Sequence, residues 1–258
     1  MDGKKQKRLL FVHGWATDKW VWKHQITAFN EDYKLHIIDL PGHGGPMKWR
    51  EPTLAPPVQA LLNLNSHEIA GDYSYVGIGW SLGAQALLAA SIGGIKIFNG
   101  LILIGGTPCF AMRKNFPWAQ PKGAVEKMIE NMKKKPKKTL NRFYRLNFTE
   151  EELNHENVLS FINKYNQLKP GFPFDEIGIG LEAMLNTDLR DGLSLIDVPT
   201  LILHGERDRI CPPGAANYLA NKIKKAELHI FKETGHAPFI TKHKEFNQKL
   251  LNFIGRLC

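Results

Sequence analysis

The stretch Gly79-Trp80-Ser81-Leu82-Gly83 places a serine between two glycines, with an apolar run before it and an Ala- and Leu-rich run after it. A serine on a tight turn between strand and helix is held in a strained conformation with its hydroxyl exposed, and only small flanking residues let the neighbouring backbone approach. Ser81 is therefore a candidate nucleophile. A serine hydroxyl is weak at neutral pH, so it needs a positioned base, and the base needs an acceptor on its second nitrogen. Two downstream loops supply both types: His204-Gly205-Glu206-Arg207-Asp208 and Glu233-Thr234-Gly235-His236-Ala237-Pro238.

Asp208 competes with Glu206 and Asp191 for the role of acid. Glu206 alternates away from Asp208, and Asp191 precedes its strand instead of following it; the bland role for Asp208 is to cap its own loop. Nine other histidines compete with His236. His13 and His43 lie in glycine turns, His24, His67, His155, His204, His229 and His243 fall on helices or strands, and His36 falls within a strand, all positions that read as structural or solvated. His236 alone follows the last strand in a Gly-His loop. A tetrahedral intermediate also needs donors for its oxyanion, best supplied by backbone amides that are already oriented. Leu82 N–H follows the nucleophile, and Trp15 N–H lies in His13-Gly14-Trp15 after the first strand. The Trp15 indole either walls the pocket or only packs.

These groups need a frame. Leu9–Val12, Leu35–Leu40, Ser74–Gly79, Leu101–Ile104, Thr200–Leu203 and Leu228–Phe231 read as short buried strands. Helical spacing covers Asp18–Phe29, Leu82–Ile92, Pro213–Ile223 and Phe239–Ile254, with a shorter candidate at Ser66–Ala70. Pro41–Pro46 is a turn, and the proline-bearing stretch Met47–Pro57 reads as a loop. Alternation of this kind predicts an α/β fold, a mostly parallel sheet flanked by helices. Ser81, Asp208 and His236 then sit on three consecutive strand ends at one edge of the sheet. Between Thr107 and Asp188 the strand signal gives way to helical patterning, with Val125, Met128, Ile129 and Met132 on one face. The expected organisation is a core of residues 1–107 and 189–258 with a helical lid, 108–188, inserted between two core strands.

The 258 residues suffice for such a core, and 43% hydrophobic content is ordinary for a globular chain. Cys109, Cys211 and Cys258 have neither metal-ligand nor redox spacing, which points to a reducing compartment. The charged start is followed by an apolar run too short for a signal core or a membrane span, so the expectation is a cytoplasmic protein with no membrane association. No metal and no cofactor are expected. The net charge of +9 is localised: from Arg113 to Arg145 there are eleven basic residues and two acidic ones, so this segment carries the excess of the whole chain. On a helix starting after Pro136, Lys138, Arg142 and Arg145 share one face, and Leu140, Phe143 and Tyr144 the opposite one. Such a run is either a solvated surface or a dock for an acidic partner. Aromatic residues are not interleaved with the lysines, which argues against nucleic acid.

Together, His13-Gly14-Trp15, Asp39-Leu40-Pro41-Gly42-His43-Gly44, Gly79-Trp80-Ser81-Leu82-Gly83 and Gly235-His236-Ala237-Pro238-Phe239-Ile240 make the chain resemble the α/β-hydrolase superfamily over almost its whole length. The order Ser, Asp, His is the one that superfamily uses. Gly106-Thr107-Pro108-Cys109-Phe110, Thr187-Asp188-Leu189-Arg190 and the histidine loop narrow the resemblance to the methyl ester esterases that act on pimeloyl-acyl-carrier protein in biotin synthesis. That resemblance implies a serine carboxylesterase whose partner is an acyl carrier protein bearing the methyl ester; a monomer is expected. It implies that Trp15, Ser81, Leu82 and His236, with Phe143, Tyr144, Arg145, Leu146 and Asn147, contact the acyl substrate, and that Lys138 and Arg142 grip the carrier. The chain departs from the pattern where later lid arginines belong, since Thr149–Ile162 offers Glu150, Glu151, Glu152 and Glu156. A hydrolase of small esters or of carbon–carbon bonds without a carrier, and a non-catalytic ligand- or carrier-binding module, stay open as alternatives.

Overall fold

The structure is a computed structural model that describes residues 7–66, 74–167 and 171–257. Six parallel strands, β1 (Arg8–Val12), β2 (Lys34–Ile38), β3 (Tyr75–Trp80), β4 (Phe98–Ile104), β5 (Thr200–Gly205) and β6 (Ala226–Phe231), form one sheet in the order β2-β1-β3-β4-β5-β6. Every residue of β3 is buried, as a central strand covered on both faces requires. The chain moves outward from β1 to β2 and then back past β1 to β3. The strand order therefore reverses between β1 and β3, and in open α/β sheets the crevice outside the carboxyl ends at such a reversal is where ligands bind. Trp15 follows β1 and Ser81 follows β3, so the sequence motifs occupy that crevice.

The helices are α1 (Lys23–Phe29), α2 (Ala55–Ser66), α3 (Leu82–Ile92), α4 (Lys122–Lys134), α5 (Pro136–Leu146), α6 (Glu156–Asn166), α7 (Phe174–Asn186), α8 (Gly214–Lys222), α9 (Pro238–Thr241) and α10 (His243–Arg256). None is long and apolar enough among the described residues to cross a membrane. Two expectations need correction, and a third falls mostly outside the described residues. The end of the predicted loop Met47–Pro57 already belongs to α2: Pro56 and Pro57 occupy its first turn, where the missing N–H has no helical partner to lose. Of the helix expected at Ser66–Ala70, Ser66 is the last residue of α2, and 67–70 lie outside the described residues. The helix expected over Phe239–Ile254 is two, broken at Lys242, which leaves helical geometry at φ −107° and ψ 36°.

Four helices, α4 to α7, lie between β4 and β5. The two ends of this excursion meet, since Leu189 N–H donates to Pro108 O at 2.9 Å. α4 buries Val125, Ile129 and Met132, and α5 buries Leu140, Phe143 and Tyr144 while Lys138, Arg142 and Arg145 stay exposed. The apolar stripes thus face the molecule and the charges face water.

Candidate active site

Ser81 sits between β3 and α3 at φ 54° and ψ −112°, a left-handed conformation that costs a non-glycine residue about 1–3 kcal/mol. What holds it there is backbone packing. A Cβ on Gly79 would lie 2.6 Å from the Gly83 carbonyl, and a Cβ on Gly83 would lie 2.3 Å from Val12 O. The two glycines let α3 start directly against β3 and the end of β1, while Ser81 N–H donates to Ile104 O of β4 at 2.8 Å. Ser81 is 8% exposed, and Leu82 begins α3, where an amide has no helical acceptor.

Asp208 and His236 are brought together. His236 Nδ1 lies 2.6 Å from Asp208 Oδ2, with both side chains buried. A carboxylate only accepts, so Nδ1 carries the proton and Nε2 keeps its lone pair. The rest of His236 is also held: its N–H donates to Asn147 O at 2.7 Å, and its carbonyl accepts from Trp80 Nε1 at 3.0 Å. Nε2 is the exception, a buried nitrogen with no hydrogen-bond partner. A buried polar atom without a partner is costly, and in a site it marks a place kept for another group.

The strands carrying the three residues are not consecutive, because β4 stands between β3 and β5. His236 reaches back across the end of β4. Gly105 makes room for it at φ +53°, since a Cβ there would meet the imidazole at 2.8 Å. Gly205 and Gly235 make a second crossing possible: a Cβ on Gly205 would fall 1.8 Å from Gly235 O, so the loops carrying Asp208 and His236 touch backbone to backbone.

Asp208 is 4% exposed and fully bonded. Oδ1 accepts from Ile210 N–H at 2.8 Å and Cys211 N–H at 2.9 Å, so it caps its own loop as well as meeting His236. His204, read from sequence as a strand residue, comes within 3.2 Å of Oδ2 through Nε2 while bonding Cys211 O at 2.6 Å. No local signal in β5 marks this, because it depends on the loop folding back over the strand. Burial pushes the Asp208 carboxyl up, but attraction to His236 and the hydrogen bonds from the two imidazoles outweigh it and hold the group below the usual carboxylate range. The rival Glu206 instead accepts from Glu233 N–H in the exposed part of the histidine loop.

The loop after β1 is ordered by two neutral histidines. His43 Nε2 accepts from Ala16 N–H at 3.0 Å and its Nδ1 bonds Pro41 O; His13 Nε2 accepts from Leu40 N–H at 2.9 Å. Burial lowers His13, and burial together with the nearby His13 lowers His43 to about 3, so both stay uncharged. Ala16 itself lies at φ 57°, which turns the chain just after Trp15. The Trp15 indole is 1% exposed; its Nε1–H donates to Ile177 O of α7, and Phe143 meets its ring edge-on at 4.8 Å.

Of the residues expected on the acyl path, Tyr144 is fully buried with its hydroxyl donating to Ala16 O at 2.8 Å, and Asn147 is buried with Nδ2 donating to Phe143 O. Leu146 is half-buried. Arg145 is exposed and shares the outer face of α5 with Lys138 and Arg142, so it is not brought to Ser81. A cavity of about 540 Å³ lies beside the loop after β1, lined by Ala16, Trp20, His43, Lys164, Tyr165 and Ile177 among others, but by neither Ser81 nor His236.

The basic run is divided by its ion pairs. Lys122 pairs with Glu126, Lys127 and Lys134 with Glu130, and Lys133 with Glu182. Lys135, Lys137, Lys138, Arg142 and Arg145 form no ion pair among the described residues, so the uncompensated charge is concentrated on α5 and its start. Of the acidic residues after α5, Glu150 pairs with Arg209, Glu151 pairs with Arg207, and Glu152 is buried.

Residues 9–249 match the model of the alpha/beta hydrolase family. The chain is 30% identical over 239 residues to a pimeloyl-[acyl-carrier protein] methyl ester esterase of Nitrosomonas europaea, covering 92% of each protein. It is 30% identical over 252 residues to the enzyme of the same name from Xylella fastidiosa strain M23, covering 96% of this chain and 95% of that one. Among solved structures, an esterase from Exiguobacterium antarcticum superposes with a TM-score of 0.84 at 24% identity over 96% of this chain and 92% of its own. A bromoperoxidase from Bacillus anthracis gives 0.88 at 20% identity, over 97% and 92%.

Proposed function

The chain belongs to the alpha/beta hydrolase family, and from that premise we propose that it is a serine carboxylesterase acting on the methyl ester of an acyl chain carried by acyl carrier protein, with pimeloyl as the acyl group. The observation that carries the chemistry is the state of His236. Every polar group on it is engaged except Nε2, which is the atom a general base needs free. Ser81 Oγ attacks the ester carbonyl as Nε2 takes its proton, and Asp208 keeps the imidazole in the Nδ1–H tautomer and stabilises the imidazolium. Leu82 N–H and Trp15 N–H receive the oxyanion. Collapse expels methanol, protonated by His236, and water then releases the acid from the acyl-enzyme by the same steps in reverse.

The carrier reading rests on charge. A basic surface is complementary to an acidic partner, and the unpaired cations here gather on the outer face of α5, whose inner face carries Phe143 against Trp15. An acidic partner on the outside would deliver its acyl arm past the same helix. The order of the chain also supports a division into a core, 1–107 and 189–258, and a lid, 108–188, that supplies this surface. The test is turnover of pimeloyl-carrier-protein methyl ester beside the same ester free of carrier. A clear preference for the carrier-bound form is expected; equal kcat/KM for both, at low salt, would return the protein to the small-ester reading.

A further inference from the structure

The turn that follows α5 touches the histidine loop, the acid loop and, through Tyr144 at the end of α5, the loop after β1. At its centre is Glu152, 8% exposed. Its first contacts are local: Thr149 N–H donates to Oε2 at 2.9 Å, and Glu152 N–H donates to Thr149 Oγ1 at 3.2 Å, a reciprocal capping pair. A capping glutamate is ordinarily solvated. This one is turned inward, where Oε2 also accepts from Gly235 N–H at 2.8 Å and Oε1 from Thr241 Oγ1 at 2.6 Å. Burying a carboxylate is costly unless it is hydrogen-bonded, and here the bonds come from the two ends of the segment that contains His236.

We propose that Glu152 is a positioning residue that sets the approach of His236 to Asp208 by fixing the Gly235 peptide. Two successive amides of the histidine loop, Gly235 and His236, are held by acceptors from the turn after α5: Glu152 Oε2 and Asn147 O. Gly235 has to be glycine, because a Cβ there would lie 2.5 Å from Asn147 O, and a glycine is also the residue with most freedom to rotate when its amide is released. Glu150 with Arg209 and Glu151 with Arg207 join the same turn to both neighbours of Asp208, but these pairs are exposed and weak. The buried contact is the one that registers base against acid. This inference rests on reading His236 as the base, and it assigns Glu152 no contact with substrate.

The experiment combines three variants with two readouts. Glu152→Ala should lower kcat for a short-chain model ester about 10- to 100-fold, the scale of a misplaced catalytic group, with KM changed by no more than about twofold. Glu152→Gln, whose amide oxygen can still accept from Gly235 N–H, should recover most of that loss. Counting active sites by the acyl-enzyme burst makes each kcat refer to folded protein. The far-downfield proton resonance of His236 Nδ1–H in its bond to Asp208 should be sharp in the wild type and the Gln variant and broadened or lost in the Ala variant. Unchanged kcat per site and an unchanged resonance in Glu152→Ala would overturn the proposal. If that variant does not fold, Glu152→Asp, too short to hold Gly235 and Thr241 together, replaces it under the same criteria. The resonance reads the geometry without turnover, so a failure of the esterase reading, seen as activity surviving Ser81→Ala, is distinguishable from a failure of this one.

Discussion

The loops at the carboxyl ends of the strands and the helices between β4 and β5 meet along one seam, yet they treat charge in opposite ways. In the loops, charge is buried and matched: Asp208 is 4% exposed and meets two imidazoles and two backbone amides, and His13 and His43 are buried neutral. On α5, charge is exposed and unmatched, with Lys138 and Arg142 in water on a helix whose other face is buried. A buried charge in a low-dielectric site acts strongly at short range and is hardly screened, so it suits orienting one proton transfer. An exposed cation acts weakly and at longer range and is screened by salt, so it suits drawing in a charged partner. Under the proposed function, the difference separates what is done to an ester from which ester is delivered.

Breaking the loop side gives the largest effects. Ser81→Ala should reduce ester hydrolysis by about 10⁴- to 10⁶-fold, leaving only what binding and the oxyanion donors supply, as measured by steady-state rates on a model ester. Asp208→Asn should cost about 10³- to 10⁴-fold in kcat, because an amide presented to Nδ1 favours the wrong tautomer. The outcome is checked in the same assay, and a loss under tenfold would remove the acid assignment.

The neutral His43 makes a prediction about stability. Its folded pKa of about 3 lies below the ordinary 6.5, so between these values the unfolded chain binds a proton that the folded chain does not. Its contribution is therefore fully present above about pH 6.5 and is lost as pH falls toward 3, on the order of a few kcal/mol in all. Urea unfolding at a series of pH values should show the decline, and His43→Gln should flatten it.

Breaking the α5 side should give the smallest effect and the most selective one. Lys138→Glu with Arg142→Glu should raise KM for the carrier-bound ester about tenfold at low salt, less at high salt, and leave the free ester unchanged. Equal losses on both substrates would mean that the two regions are not separable in this way.

The strand–turn–helix at Ser81 was legible because its causes are local: the same few residues supply the strand, the close approach at Gly79 and Gly83, and the helix. The faces of α4 and α5 were legible for the same reason, since helical period alone sorts Leu140 and Phe143 from Lys138 and Arg142. Prolines misled at α2, where Pro56 and Pro57 start a helix; their position within the first turn, and not their presence, decides what they do.

Glu152 shows where such reading stops. In the sequence it is one of several acids standing where arginines would suit a carrier, whereas in the fold it is the buried acceptor of an amide 83 residues away. His204 is the strand residue that the sequence suggests, but the fold also makes it a neighbour of Asp208. The lysines show a third case, because charges add along a chain whichever way it folds, but pairing requires a counter-ion within reach, and only the packing of α7 on α4 brings Glu182 to Lys133. By itself the sequence determined the strand alternation, the strained serine turn and the placing of Asp208 and His236 in loops just after strands, since each depends on neighbours a few residues apart. The tertiary structure alone decided that β4 lies between them, which cations remain free and what holds His236 in place, because those contacts join segments that only the closed sheet and the turn after α5 bring together.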